Sequence, residues 1–363
     1  MQHALLHPLS SSNFANLVQL LSAYGFERKY IFRVLYLSGL CLLRQPGQFL
    51  DSIRFHKEIE KQVIEPDPVF IIGHWRSGTT YLQNLLCQDP QFGRVSLLQA
   101  SMPHDFMTLP ALYQEIFRRI LPARRIMDNV KLSLDMPWEE EMAMASYCAY
   151  SFYHVSFFPR CIEAIFQRAV LFDGGKPEYI AIWKRCYLNF LKKIQFTQPG
   201  RRLLLKNPAN TARIGILRQL FPTSRFIHIQ RHPYEVFKST MHLYTKVQSA
   251  WGLQSIDGES LAKHVLASYR ELMHACFSQC AELNKQDLVA IRYEELERNP
   301  SGTIKMIYQQ LELENYAIAE PHFLQYIKQQ RDYEKNSYAI TESEKELVYA
   351  HWQEAFTRLG YEK

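Results

Sequence analysis

The 363-residue sequence predicts an α/β fold: a P-loop-like, three-layer arrangement with a central parallel sheet, a helical insertion and N-terminal helices. Three observations predict it. Short apolar runs bounded by loops (Val69–Ile72, Leu203–Lys206, Arg225–Gln230 and Leu288–Arg292) alternate with helical patterns, as a doubly wound sheet requires. The first run ends on Gly73, and four residues later Gly78-Thr79-Thr80 opens a helix, giving the order strand, glycine loop, helix. Strands also deliver Arg76, Lys206 and Arg231 to one edge of the sheet, the edge where open α/β folds bind ligands.

Taken in order, residues 1–65 read as an N-terminal helical segment packed on the core, with helices at Ser12–Tyr24, Arg28–Leu43 and Gln48–Val63. The core domain spans 66–363. It opens with the Val69–Ile72 strand and a Gly78–Cys87 helix, followed by a short strand at Arg94–Gln99. Residues 101–197 change to helical periods broken by prolines and rich in Met, Phe and Tyr, an insertion expected to form the acceptor pocket. The core then resumes: strand Leu203–Lys206, helix Thr211–Leu220, strand Arg225–Gln230 and helix Tyr234–Val247. A helix at Glu259–Asn284, strand Leu288–Arg292 and helices Ser301–Leu311, His322–Gln330 and Glu342–Leu359 complete the chain.

The loop at 73–80 is built for an anion. Its backbone N–H groups and the positive end of the following helix dipole face one point. The lysine of a nucleotide triphosphatase loop is absent, because Thr79 stands in its place; the cation sits inside the loop as Arg76, whose planar fork suits phosphate or sulfate oxygens at any pH. No carboxylate tips the Phe226 strand, which ends Gln230-Arg231, so the acid that would hold magnesium is missing too. Pro233 fits the first turn of the helix after that strand and brings Ser239 near the end of its second turn.

Composition narrows the class. A hydrophobic content of 47%, 21% charged residues and a net charge of +6 describe an ordinary globular chain whose basic residues are scattered rather than clustered, which argues against nucleic acid as partner. The seven cysteines form no CxxC pair and no evident metal site, so they read as buried thiols of a reducing compartment. The N-terminus lacks a basic n-region and a compact apolar core, and no uncharged run is long enough to span a bilayer. The expectation is a cytoplasmic protein, with residues 17–43 offering an amphipathic surface for peripheral membrane contact.

These segments resemble the sulfotransferases that use 3′-phosphoadenosine 5′-phosphosulfate (PAPS). Pro68–Thr80 resembles their 5′-phosphosulfate loop in the P-R-S-G-T-T form of bacterial and tyrosylprotein-type members, with Trp75 in place of Pro; Ser224–Ser239 resembles the 3′-phosphate site; the Lys-x-Pro turn at Lys206 resembles an active-site lysine; and Arg292-Tyr293-Glu294-Glu295-Leu296 resembles the R-Y-E-D-L segment after the last core strand. The likeness runs from about residue 66 to 315. It implies a sulfotransferase that needs PAPS and no metal, moving a sulfuryl group in line to a hydroxyl of a lipid, sterol, phenol or glycan. Arg76, Ser77, Gly78, Thr79 and Thr80 would hold the 5′-phosphosulfate, Arg231 and Ser239 the 3′-phosphate, and Lys206 the leaving oxygen, with Lys335 closing over the nucleotide from a late loop. Tyrosylprotein-type members carry a glutamate about twenty residues beyond the loop arginine, where this chain offers only Gln99. Glu139 or Glu141, in a Pro137–Glu141 segment resembling P-x-E-D-E, and His104, by analogy with the histidine of cytosolic members, are the alternatives for the base. The competing classes are a P-loop kinase or nucleotide triphosphatase, and a non-catalytic nucleotide-binding relative.

Overall fold

The computed structural model describes residues 7–125, 130–330 and 338–363. The chain divides into two compact units. One comprises residues 1–64, 95–199 and 242–261; the other comprises 65–94, 200–241 and 262–363.

The second unit holds the sheet. Five strands, β1 (Val69–Ile72), β2 (Phe92–Gly93), β3 (Arg202–Lys206), β4 (Arg225–Gln230) and β5 (Leu288–Arg292), pair in parallel in the order β2-β3-β1-β4-β5. All four residues of β1 are buried, as befits a central strand covered on both faces. Side-chain alternation then sorts the layers. Val69, Ile71, Ile227, Ile229, Val289 and Ile291 turn to one face and pack with Leu82, Leu85 and Leu86 of the helix Thr79–Leu86 and with Ile304 and Ile307 of the helix Pro300–Gln310. On the other face Phe70 stacks on Phe226 with ring centres 5.5 Å apart. Register sets the functional edge: Ile71 pairs with Lys206 and Ile72 with His228, so β1, β3 and β4 all end within a residue or two of one another. Because β3 and β4 flank β1 on opposite sides, successive crossovers leave in opposite directions there, the crevice that open sheets use for ligands.

The first unit is helical. Two expectations change here. The separate helices at Arg28–Leu43 and Gln48–Val63 are one helix, Ile31–Lys61, running through Pro46. An internal proline costs a hydrogen bond and crowds the preceding turn, but both sides of it are anchored: Arg44 donates to Asp105 at 2.5 Å, and Gln48 donates to the Ser11 carbonyl at 3.3 Å. Further along, buried Lys193 of the helix Pro177–Thr197 holds Asp51 at 2.6 Å. The second change is at Arg94–Gln99. The strand is confined to Phe92–Gly93 in the sheet unit, and Leu97–Ser101 is a helix opened by a capping box in which Ser96 and Gln99 satisfy each other's backbone N–H. No helix among the described residues is long and apolar enough to cross a membrane.

Candidate active site

Residues 73–78 connect β1 to the helix Thr79–Leu86, and their conformation demands the residues found there. Gly73 has φ +137°, and a Cβ on it would lie 2.3 Å from the Ile229 carbonyl oxygen; its N–H donates to the Thr211 hydroxyl at 2.8 Å. Gly78 has φ +95°, and a Cβ there would meet the Tyr293 ring at 2.2 Å. The loop closes on itself, because the Ser77 N–H and hydroxyl both donate to the His74 carbonyl, at 3.2 and 2.7 Å. Arg76 itself sits at φ +71°, a left-handed conformation costly for a residue with a Cβ and commonest where function holds it. Burial drives the His74 imidazole down to about 4, against the pull of its bond to the Trp75 carbonyl, so it is neutral at pH 7. That suits a hydrogen-bonding wall and not a cation.

Around this loop the structure gathers most of the expected anion-binding residues. The Arg76 Nε donates to the Ser239 hydroxyl at 2.8 Å, joining the loop to the helix Pro233–Trp251. Arg231, one residue past β4, donates to the Arg76 carbonyl at 3.1 Å, pairs with Glu235 at 3.3 Å and lies over the Tyr293 ring at 4.7 Å. Ser239 thus meets Arg76 directly, while the carboxylate beside Arg231 is Glu235, one helical turn on. Lys206, buried at the end of β3, donates to the Thr80 hydroxyl at 3.4 Å. Its strand continues into a tight turn in which Asn207 accepts the Ala209 N–H at 2.9 Å. Lys335 lies outside the described residues.

Three residues of this site carried no motif of their own or only a slight one. Thr211 anchors Gly73 with nothing in the sequence to mark it. Tyr293, inside the Arg292–Leu296 segment, fills the space a side chain at 78 would occupy and supports Arg231. Glu294 accepts the His232 N–H at 3.1 Å and the Tyr361 hydroxyl at 2.8 Å, tying the turn after β4 to the chain's last residues.

The three expected base candidates lie in the helical unit, and their surroundings differ sharply. Glu141 is buried; it accepts the Ser151 hydroxyl at 3.0 Å and the Phe152 N–H at 2.8 Å, bonds that pin the next turn of chain. Its neighbour Glu140 is buried and accepts the Tyr187 hydroxyl at 2.9 Å. His104 stacks on Tyr147 with ring centres 4.4 Å apart and places Nε2 3.1 Å from the Ser146 carbonyl. Burial lowers its imidazole to about 4, opposed by that carbonyl and aided by Lys193 and Arg44. Glu139 is the half-buried residue at the start of the helix Glu140–Tyr147. Burial and then its charge push the hydroxyls of Tyr153 and Tyr244 up, which puts the Glu139 carboxylate within electrostatic reach of both.

A parallel sheet with a glycine loop, a helix N-terminus and two arginines and a lysine at one edge is the architecture of an anion-handling group transferase. The comparisons with known proteins give the family. Residues 68–317 match the sulfotransferase family. Over 354 residues the chain is 30% identical to the omega-hydroxy-beta-dihydromenaquinone-9 sulfotransferase Stf3 of Mycobacterium bovis and, equally, to that of Mycobacterium tuberculosis, covering 97% of this chain and 90% of each relative. Sulfotransferase STF9 from Mycobacterium avium shares the fold at 17% identity with a TM-score of 0.66, over 97% of both chains. STF1 from Mycobacterium tuberculosis does so at 15% identity and 0.66, over 93% of this chain and 89% of that one. The chain belongs to the sulfotransferase family, and it is a sulfotransferase enzyme.

Proposed function

We propose that the protein moves the sulfuryl group of PAPS to the hydroxyl of a lipid-type acceptor that it meets at a membrane surface. The observation that carries the donor half is the meeting of Arg76, Ser239 and Arg231 on a loop whose two glycines leave no room for a Cβ. Bound PAPS supplies an activated sulfuryl group on a phosphate leaving group. The backbone of residues 76–80 and the Arg76 guanidinium bind the 5′-phosphosulfate, and Arg231 with Ser239 binds the 3′-phosphate. Lys206 neutralises the charge that builds on the phosphate oxygen as its bond to sulfur breaks. Glu139 takes the acceptor's hydroxyl proton as the new oxygen–sulfur bond forms. Glu139 is preferred because it is half-buried and its charge is felt by the Tyr153 and Tyr244 hydroxyls, whereas Glu141 is buried and a His104 imidazole lowered to about 4 is a weak base. Charge neutralisation by Arg76, Lys206 and Arg231 lets the step be written without a metal.

The acceptor half rests on the helix Ile31–Lys61. Its inner face buries Val34, Leu37, Cys41 and Ile59, while Phe32 (81% exposed), Leu35, Leu42, Leu43 (76%), Phe49, Leu50 and Ile53 form an outward apolar stripe. From Phe32 to Ile53 that stripe runs about 32 Å at the helical rise. Between residues 28 and 57 the chain carries Arg28, Lys29, Arg33, Arg54 and Lys57, besides Arg44, which is turned inwards onto Asp105; the acid Asp51 is paired with Lys193, and Lys29 lies beside Glu27. An apolar stripe with a basic border fits an anionic lipid surface. The relative's menaquinone-derived acceptor supports a lipid of that kind over a glycan.

The deciding experiment is label transfer from PAPS, without added Mg²⁺, to a panel of isoprenoid quinone derivatives, sterols, phenols and glycans, beside thermal shift with adenosine 3′,5′-bisphosphate. Nucleotide stabilisation with transfer to an isoprenoid lipid is expected; stabilisation only by Mg-ATP would overturn the donor assignment. The double variant Phe32→Asp/Leu43→Asp should stop the protein floating with anionic phospholipid vesicles. Unchanged flotation, or conversion of a stable dimer to monomer, would assign the stripe elsewhere.

A further inference from the structure

His228, Cys276 and Cys280 stand apart from the donor site's chemistry. All three lie in the sheet unit: His228 on β4, three residues before Arg231, and the two cysteines one turn apart at the end of the helix Gly258–Cys280. Their ligand atoms lie within 4.8 Å of one another. The two sulfurs are 3.7 Å apart, and the Cys276 sulfur is 3.9 Å from the His228 Nε2. Tetrahedral zinc with bonds of ~2.3 Å to sulfur and ~2.05 Å to nitrogen spaces its ligands by ~3.8 Å between sulfurs and ~3.6 Å between sulfur and nitrogen. Two edges of the triangle are thus already near zinc dimensions, and the third closes with a small side-chain rotation. Burial and protection also fit. Cys276 and His228 are buried, whereas Cys280 is half-buried. The Gln230 amide nitrogen lies 3.5 Å from the His228 Nδ1; exchanging the amide oxygen and nitrogen would let Gln230 accept an Nδ1–H and leave Nε2 for a metal.

We propose that His228, Cys276 and Cys280 form a Zn²⁺ site that ties β4 to the helix Gly258–Cys280, with water as fourth ligand. Binding replaces two S–H bonds with two thiolate–zinc bonds and releases two protons to solvent, so the bound set of Zn²⁺ and two thiolates carries no net charge in its buried surroundings. The site clamps the strand that positions Arg231, a structural role independent of the sulfuryl acceptor.

The test uses untagged full-length protein, reduced with a non-thiol reductant and titrated with Co²⁺ as the spectroscopic probe and then with Zn²⁺ in competition. One Co²⁺ per chain is expected, with thiolate-to-cobalt charge-transfer absorption and the intense visible bands of a tetrahedral site, displaced by Zn²⁺. Affinity should fall about 100-fold per pH unit below the thiol range, since two protons are exchanged. Cys280→Ser, at a half-buried position that leaves the fold intact, should weaken binding by at least ~10-fold, the size that losing even an outer hydrogen-bond partner produces. Zn²⁺ should raise the melting temperature of the parent and not of Cys280→Ser. Absence of the charge-transfer band, equal Co²⁺ affinity in Cys280→Ser, or isolation of a Cys276–Cys280 disulfide under the same reducing conditions would overturn the assignment.

Discussion

Replacing Gly78 by alanine tests whether the loop geometry, and not merely its charges, makes the donor site. Two costs are visible. At φ +95° a residue with a Cβ is strained by about 1–3 kcal/mol. The added methyl would also lie 2.2 Å from the Tyr293 ring, far inside the ~3.5–4.0 Å of normal carbon contact. Overpacking of that kind costs about 1–3 kcal/mol. The Tyr293 ring cannot give way harmlessly, because Arg231 lies on it at 4.7 Å. Together Gly78→Ala should lose ~2–6 kcal/mol, shared between stability and nucleotide affinity. Urea unfolding followed by tryptophan fluorescence, and calorimetric titration with adenosine 3′,5′-bisphosphate, measure the two shares. Tyr293→Ala in the same chain removes the clash but not the backbone strain. The double variant should therefore recover ~1–3 kcal/mol relative to the sum of the single losses, the overpacking part. Strict additivity, or a Gly78→Ala loss below about 0.5 kcal/mol, which is the range of an ordinary surface change, would refute the close-approach argument.

Lys206→Ala should lower kcat by ~10²–10³-fold while nucleotide affinity changes far less, since the charge it meets develops only as the bond breaks; equal losses in both would make it a binding residue. Glu139→Gln should lower kcat by ~10²–10⁴-fold, whereas Glu141→Gln should mainly cost ~1–3 kcal/mol of stability through its weakened bond from the Phe152 N–H, and pH–rate profiles with unfolding curves on both variants separate the two roles. Stability should also fall with acid. Burial first of all holds His7 at about 3 and His74, His104 and His154 at about 4, all below the ordinary value of 6.5. The unfolded chain therefore binds more protons, so stability that is full above pH 6.5 is lost as pH drops towards 4, by up to ~1.4 kcal/mol per pH unit for each histidine. Unfolding free energy that stays flat between pH 7 and 4.5 would contradict their burial.

Much of the sheet was legible because its strands are bounded by strong local signals. Val69–Ile72 ends on a glycine that must take positive φ, Arg225–Gln230 ends three residues before a proline, and Leu288–Arg292 runs into an acidic helix start; all three match the structure residue for residue. Where the local signal and the tertiary contacts disagree, the contacts win. Gln45-Pro46-Gly47 reads as a helix break, yet Arg44 on Asp105 and Gln48 on the Ser11 carbonyl carry the helix through it. Ser96-Leu97-Leu98-Gln99 lacks length for a helix by pattern alone, and only the reciprocal Ser96–Gln99 cap makes one.

The same division explains the site. An anion held by backbone N–H groups needs glycines at fixed spacing and cations at strand ends, so Arg76, Lys206 and Arg231 could be named from order alone. A proton acceptor needs only one carboxylate, and Glu139, Glu140 and Glu141 are identical in chemistry until their neighbours are known. In the structure Tyr187 donates to Glu140, and the Ser151 hydroxyl and Phe152 N–H donate to Glu141, partners that lie ten to almost fifty positions away in sequence. It follows that losing one contact should not move the role: Ser151→Ala removes one hydroxyl from Glu141 but leaves the Phe152 N–H in place, so Glu141 stays pinned and the pH–rate profile should not change. A shifted profile in Ser151→Ala would make Glu141, and not Glu139, the acceptor of the proton.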